Sequence, residues 1–198
     1  SRLRILDGAA FREGIIDVDG GADVVISSPI EIEGGANFEL KNDAKVVLSN
    51  DPGGSDRIDI GRLRASGKGT IELVSSAEIE APDDFEAELQ CTDETKFLMS
   101  GGSISSPVKN TGNFIGKGGS LQSRLTNEEG ASMTLETGFL IGALGKIVNK
   151  GAATVDLVIL VDSISDEVVD FDNQGSLLIK GQGISAGDST FLLNSGNL

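Results

Sequence analysis

Apolar and polar residues alternate along most of this chain, with the period of a strand. Ile30 and Ile32 are set against Glu31 and Glu33, and Phe38 and Leu40 against Asn37 and Glu39. Ile58 and Ile60 flank Asp59, Ile71 and Leu73 flank Glu72, and Met133 and Leu135 alternate with Thr134 and Glu136. A period of two sends one set of side chains to a core and the other to water. Glycine pairs or Asn-Gly clusters bound nearly every run, which is strand punctuation. Residues 82–89 and 163–169 are the only candidates for a helical turn, and both are short, so the chain reads as all-β.

The runs also resemble one another. Asn110-Thr-Gly112 leads into Asn113-Phe-Ile, and Asn127-Glu-Glu-Gly130 into Ala131-Ser-Met-Thr-Leu. Asn149-Lys-Gly151 leads into Ala152-Ala-Thr-Val, Asn173-Gln-Gly175 into Ser176-Leu-Leu-Ile, and Asn194-Ser-Gly196 into Asn197-Leu198. These asparagines recur at a near-constant interval, and an apolar residue stands one or two places before each. The N-terminal half repeats more loosely on glycine: Gly20-Gly-Ala-Asp-Val-Val-Ile, Gly34-Gly-Ala-Asn-Phe-Glu-Leu and Gly67-Lys-Gly-Thr-Ile-Glu-Leu share one shape. Asn42-Asp-Ala-Lys-Val-Val-Leu is similar to the later units.

A repeat this short cannot bury its own apolar face, so it must stack on its neighbours. The predicted fold is a single-stranded parallel β-solenoid of about 21 residues per rung, forming one domain over residues 1–198. Residues 81–96 are expected to form a loop or an irregular rung. An asparagine at one corner of successive rungs can bond its counterparts above and below. Asn110, Asn127, Asn149, Asn173 and Asn194 are therefore the expected ladder. Gly112, Gly130, Gly151, Gly175 and Gly196 are the expected turn glycines, supplying positive φ after an asparagine that itself tolerates the left-handed region.

The pattern apolar-x-Asn-x-Gly-x-apolar at this interval resembles the β-helical repeats of filamentous-haemagglutinin-like adhesins and autotransporter passengers, and similar coils occur in phage tailspikes. The likeness covers residues 108–198 and, more loosely, 20–74. It implies a structural or adhesive solenoid of an extracellular appendage, filament or cell surface, associating with copies of itself or with other subunits. Since many β-helices process polysaccharides, it leaves a carbohydrate-active or carbohydrate-binding protein, Ca²⁺-dependent or not, as the alternative.

Composition narrows the chemistry. The chain has 27 Gly against 4 Pro, 8 Phe, no Tyr, no Trp and no His. Without histidine the usual general base is missing, and no carboxylate pair is marked out from the rest by its neighbours. The sequence is therefore read as non-enzymatic and as needing no cofactor. The net charge of −15 argues against nucleic acid, since phosphates are gripped by Lys and Arg. No apolar run is long enough for a membrane helix. Residues 1–100 carry 21 acids and 10 bases, and between Glu72 and Glu94 stand nine acids and no base. The plain reading of that run is a solvated face, the sharper one a patch for divalent cations or a basic partner.

Asp17, Asp19 and Asp23 are the Ca²⁺ candidates, because oxygen donors alone select a hard cation. They do not complete an EF-hand, whose twelfth position would fall on Ser28. Asp162, Asp166, Glu167, Asp170 and Asp172 form a second acidic group. The single Cys91 is expected as a small buried hydrophobe, and Gly116-Lys-Gly-Gly-Ser120 lacks phosphate-loop spacing and reads as a corner. The chain begins with Ser1 and shows no signal-peptide pattern, so it is expected to be a segment of a longer protein or assembly.

Overall fold

The computed structural model describes residues 2–5, 9–19, 23–27, 30–49, 57–74, 77–81, 86–92, 94–142, 144–160, 171–186 and 192–197. Among these, every strand pairing is parallel, and each strand pairs with its counterparts in the coils before and after its own. The fold is a parallel β-solenoid with coils about 22 residues apart.

Each coil carries three strand segments, so three columns of stacked strands run along the rod. In one column Val24, Val46, Ile71, Phe97, Phe114 and Met133 follow one another in register. In the next, Ile58, Ile79, Ile104, Leu121 and Ile141 do the same. In the third, Ala87, Val108, Leu125, Ile147 and Phe171 are aligned. All of these side chains are buried and belong to one core. Alternation along each strand therefore becomes a continuous apolar column across the coils, which is why no single repeat needs a large hydrophobic content.

Narrowness of the core decides which aromatics fit. The Phe97 and Phe114 rings stack at 5.9 Å between centroids, inclined by 13°, and Phe139 meets Phe114 edge-on at 6.2 Å. A flat ring lying on the ring below fills a slot one coil high, within the usual range for aromatic pairs.

Corners account for the irregular spacing. The strand Ile30–Ser49 bends through successive columns, and its register shifts between Leu40 and Ala44. Asn42 and Asp43 take positive φ there (54° and 58°), and Asn42 Nδ2 donates to Asp19 Oδ1 at 2.7 Å. Asn42 is thus a corner residue and not a member of the asparagine column. The Gly20 and Gly67 units do stack, since Val24, Val46 and Ile71 align. The Gly34 unit does not join them: Phe38 aligns with Ile16 and Ala65 on another column.

Within residues 81–96, expected as a loop or an irregular rung, most of the described residues form strands. Ala87–Cys91 and Glu94–Met99 are strands paired on both sides. The step from Leu63 to Leu89 is longer than the step from Val108 to Leu125 on the same column. The coil's described strands nevertheless stay paired, and Ala87, Leu89 and Cys91 supply the inward set. Residues 82–85 of that stretch, and the other helical-turn candidate at 163–169, lie outside the described residues.

Candidate functional site

Polar side chains occur in two places, inside the rod and on its outer face. The interior set is the asparagine column. Asn110 ends the strand Val108–Asn110 and aligns with Asn127, Asn149, Asn173 and Asn194 at the ends of the corresponding strands. Asn110, Asn127, Asn149 and Asn173 have no solvent exposure. Each donates from Nδ2 to the Oδ1 of the next: Asn110 to Asn127 at 2.7 Å, Asn127 to Asn149 at 2.7 Å, Asn149 to Asn173 at 2.6 Å, Asn173 to Asn194 at 2.6 Å. The second Nδ2 hydrogen reaches backbone carbonyls at the turn, as from Asn110 to Ser132 at 3.0 Å and from Asn149 to Ser176 at 3.0 Å.

This column satisfies its own buried amides, which an isolated buried asparagine could not do. Before Asn110 the same column is apolar: Leu89 aligns with Asn110 and Leu63 with Leu89. There the Asn110 Oδ1 accepts from Gly112 N at 3.2 Å, which completes that end of the ladder.

The glycines do a different job from the one expected. Gly112, Gly151, Gly175 and Gly196 are absent from the positive-φ residues, and so are the five asparagines. A Cβ on Gly112 would sit 2.1 Å from the Cys91 carbonyl oxygen; on Gly175, 2.2 Å from that of Gly151; on Gly196, 2.0 Å from that of Gly175. These residues are glycine because the backbone of the coil below is too close for any side chain. Only Gly130 has positive φ (82°), and it has open space around it. Its turn is two residues longer, and Ala131, not Gly130, stands between Gly112 and Gly151 in the column, since Ser132 aligns with Asn113 and Ala152.

Outside, charges are paired across coils. The acidic run from Glu72 to Glu94 meets bases from neighbouring turns: Glu72 contacts Lys45, Glu88 contacts Arg62, and Glu86 meets Lys109 at 3.7 Å and Arg124 at 3.4 Å. Elsewhere Lys150 meets Glu128 at 3.1 Å and Lys117 meets Glu136 at 3.3 Å. Glu72 is the most buried of these acids. Desolvation would raise its pKa, but hydrogen bonds from Lys45 and Ser100 (Ser100 Oγ at 2.6 Å), with the Lys45 charge, bring it below the ordinary carboxylate value.

Among the Ca²⁺ candidates, Asp17 accepts from Lys41 Nζ at 2.6 Å, which raises the pKa of that lysine, and Asp19 accepts from Asn42. Asp23 lies in the strand Asp23–Ser27 and pairs with Lys45 through the backbone ladder. Among the described residues no three acids, cysteines or histidines converge as a metal site. Asp162, Asp166, Glu167 and Asp170 lie outside the described residues; Asp172 accepts from Gln174 Nε2 at 2.7 Å. Cys91 is buried, and desolvation pushes its thiol up to about 12.

One outward feature is not marked by any sequence motif. A shallow groove of about 290 Å³ lies over Asn37, Arg64, Ala65, Ser66, Gln90 and Thr92. Asn37, Arg64 and Gln90 are ordinary outward positions of alternating strands, so only the register of successive coils reveals that they adjoin.

Comparison with known proteins adds no relative. No family model, no curated protein and no solved structure matches this chain. The likeness to adhesins and tailspikes therefore rests on the repeat pattern, and the structure carries it as far as the β-solenoid fold.

Proposed function

We propose that this chain is a non-enzymatic structural or adhesive rod of an extracellular appendage, filament or surface protein, built to present a surface and to associate with copies of itself or other subunits. The observation that supports the reading most is how the polar side chains are used. The asparagines bind coil to coil inside, and lysines and arginines bind coil to coil outside. Both sets hold the rod together along its axis. The excess of acid over base keeps such rods apart side by side, so lateral association would require a divalent cation or a basic partner.

The test is incubation with acidic and neutral polysaccharides, with Ca²⁺ and with chelator, followed by measurement of polymer length. Unchanged length under all conditions is expected. Shortened chains or new reducing ends would overturn the reading in favour of a carbohydrate-active enzyme.

A further inference from the structure

Among the described residues two buried side-chain polar atoms lack a hydrogen-bond partner, Arg64 Nε and Asp172 Oδ1, and the first belongs to a groove. Asn37, Arg64 and Gln90 stand in register on three successive coils, which places them about 4.8 Å apart along the rod. Ser66 on the same strand as Arg64, Thr92 just past the end of Ala87–Cys91, and the small Ala65 complete the lining. Arg62, two residues away, is engaged by Glu88, whereas Arg64 has no carboxylate partner among the described residues. Its Nε is shut off from water and has no hydrogen-bond partner. Closed off in this way, Nε cannot meet a ligand, so only the terminal guanidinium nitrogens of Arg64, which lines the groove, are left to do so. The remaining lining offers neutral amides and hydroxyls.

We propose that this groove binds a hydroxylated carboxylate, namely a uronate unit of an acidic glycan. The Arg64 guanidinium takes the carboxylate, and the Asn37 and Gln90 amides with the Ser66 and Thr92 hydroxyls take ring hydroxyls. Guanidinium and carboxylate match as a planar, two-bonded pair. An extended peptide fits less well, because the strand Arg62–Leu73 is already paired on both edges and offers no free backbone ladder. Glu39, opposite Ser66 in register, rims the groove with negative charge, so the carboxylate is held at Arg64 and not further along. The proposal rests on the reading of the chain as a surface that binds without cleaving, and it names the ligand class of that surface.

The experiment is calorimetric titration of the protein with a glucuronate-containing oligosaccharide (a hyaluronan fragment). A neutral chitooligosaccharide and sodium sulfate serve as separate arms. Fragment length is measured before and after. Binding of the uronate sugar, weakened by salt and absent for the neutral sugar, is expected. Arg64→Gln should lower affinity roughly tenfold or more, as loss of a charge-assisted bond does. Arg64→Lys should recover only part of it, and Lys96→Gln, a cation outside the groove, should change nothing. Circular dichroism of each variant confirms folding. Absence of uronate binding, equal binding by folded Arg64→Gln, or sulfate binding as tightly as the sugar overturns the proposal. Shortening of the bound fragment would instead overturn the non-enzymatic reading and leave the site standing.

Discussion

Replacing Asn149 by leucine removes the middle of the asparagine column without emptying the space. Three hydrogen bonds go: the bond accepted from Asn127 at 2.7 Å, the bond donated to Asn173 at 2.6 Å, and the bond donated to the Ser176 carbonyl at 3.0 Å. The consequences differ by partner. Asn127 Nδ2 keeps the Ala152 carbonyl at 3.2 Å, so its loss is small. Asn173 Oδ1 is left buried without a donor, which costs about 1–3 kcal/mol. Leucine recovers some of this by apolar burial, up to about 2 kcal/mol if it fits. It does not fit freely, because the turn glycine beside it, Gly151, already lies against the backbone below. The expected net loss is about 1–3 kcal/mol.

Two companions sharpen the test. Asn149→Asp keeps the volume but loses both donors and sets a charge among buried groups, so it should cost more than leucine. Asn194→Leu acts at the exposed end, where the bond accepted from Asn173 and a long bond donated to the Gly196 carbonyl at 3.4 Å are lost, and should cost less. Urea unfolding followed by far-ultraviolet circular dichroism measures all three. An Asn149→Leu midpoint equal to wild type, or Asn194→Leu costing as much as Asn149→Leu, would refute the account of the ladder.

The remaining predictions use the same readout or simpler ones. Gly175→Ala forces a Cβ to within 2.2 Å of a carbonyl oxygen and should destabilise more than Gly130→Ala, which meets open space and carries only left-handed strain of about 1–2 kcal/mol. Because the pKa of Glu72 is lowered in the folded state, its contribution is present above the ordinary carboxylate value near 4.5 and is lost as pH falls through the lowered value. Glu72→Gln should therefore flatten the stability profile on that acid limb, and an unchanged profile would contradict the pairing with Lys45. The Cys91 thiol should resist alkylation at pH 8 until the chain is unfolded, and rapid labelling of native protein would contradict its burial.

The fold is legible in the sequence because strand alternation and a single repeated amide both survive in one dimension. Asn127, Asn149 and Asn173 differ in their neighbours but share one task, and that task admits only asparagine. The earlier coils are harder to read because Leu63 and Leu89 fill the same column with apolar side chains, which any strand also contains. Gly34-Gly-Ala-Asn-Phe copies the composition of the Gly20 unit and buries the same positions, Phe38 where that unit has Val24, yet it lies on a different column of the coil, which local composition does not reveal. The repeat locates the glycines but misleads about their reason: close approach of Gly175 to Gly151 is a relation between coils, invisible to local turn rules. The groove at Arg64 escapes a sequence reading for the same reason. Its members lie on different coils, far apart along the chain, and only the stacked register makes them neighbours.

The central claim is parallel stacking of coils in this register, and distances between spin labels along one outward column test it directly. Arg62, Glu88, Lys109, Thr126, Val148 and Asp172 occupy successive coils at one position. Cysteines introduced in pairs at these sites can be labelled while buried Cys91 stays unreacted. At about 4.8 Å per coil, the separation should be roughly 14 Å for Glu88 with Val148, 19 Å for Glu88 with Asp172 and 24 Å for Arg62 with Asp172. Distances that rise by one strand spacing per coil are the predicted result. Distances unrelated to coil number, or near-equal for all three pairs, would contradict the solenoid.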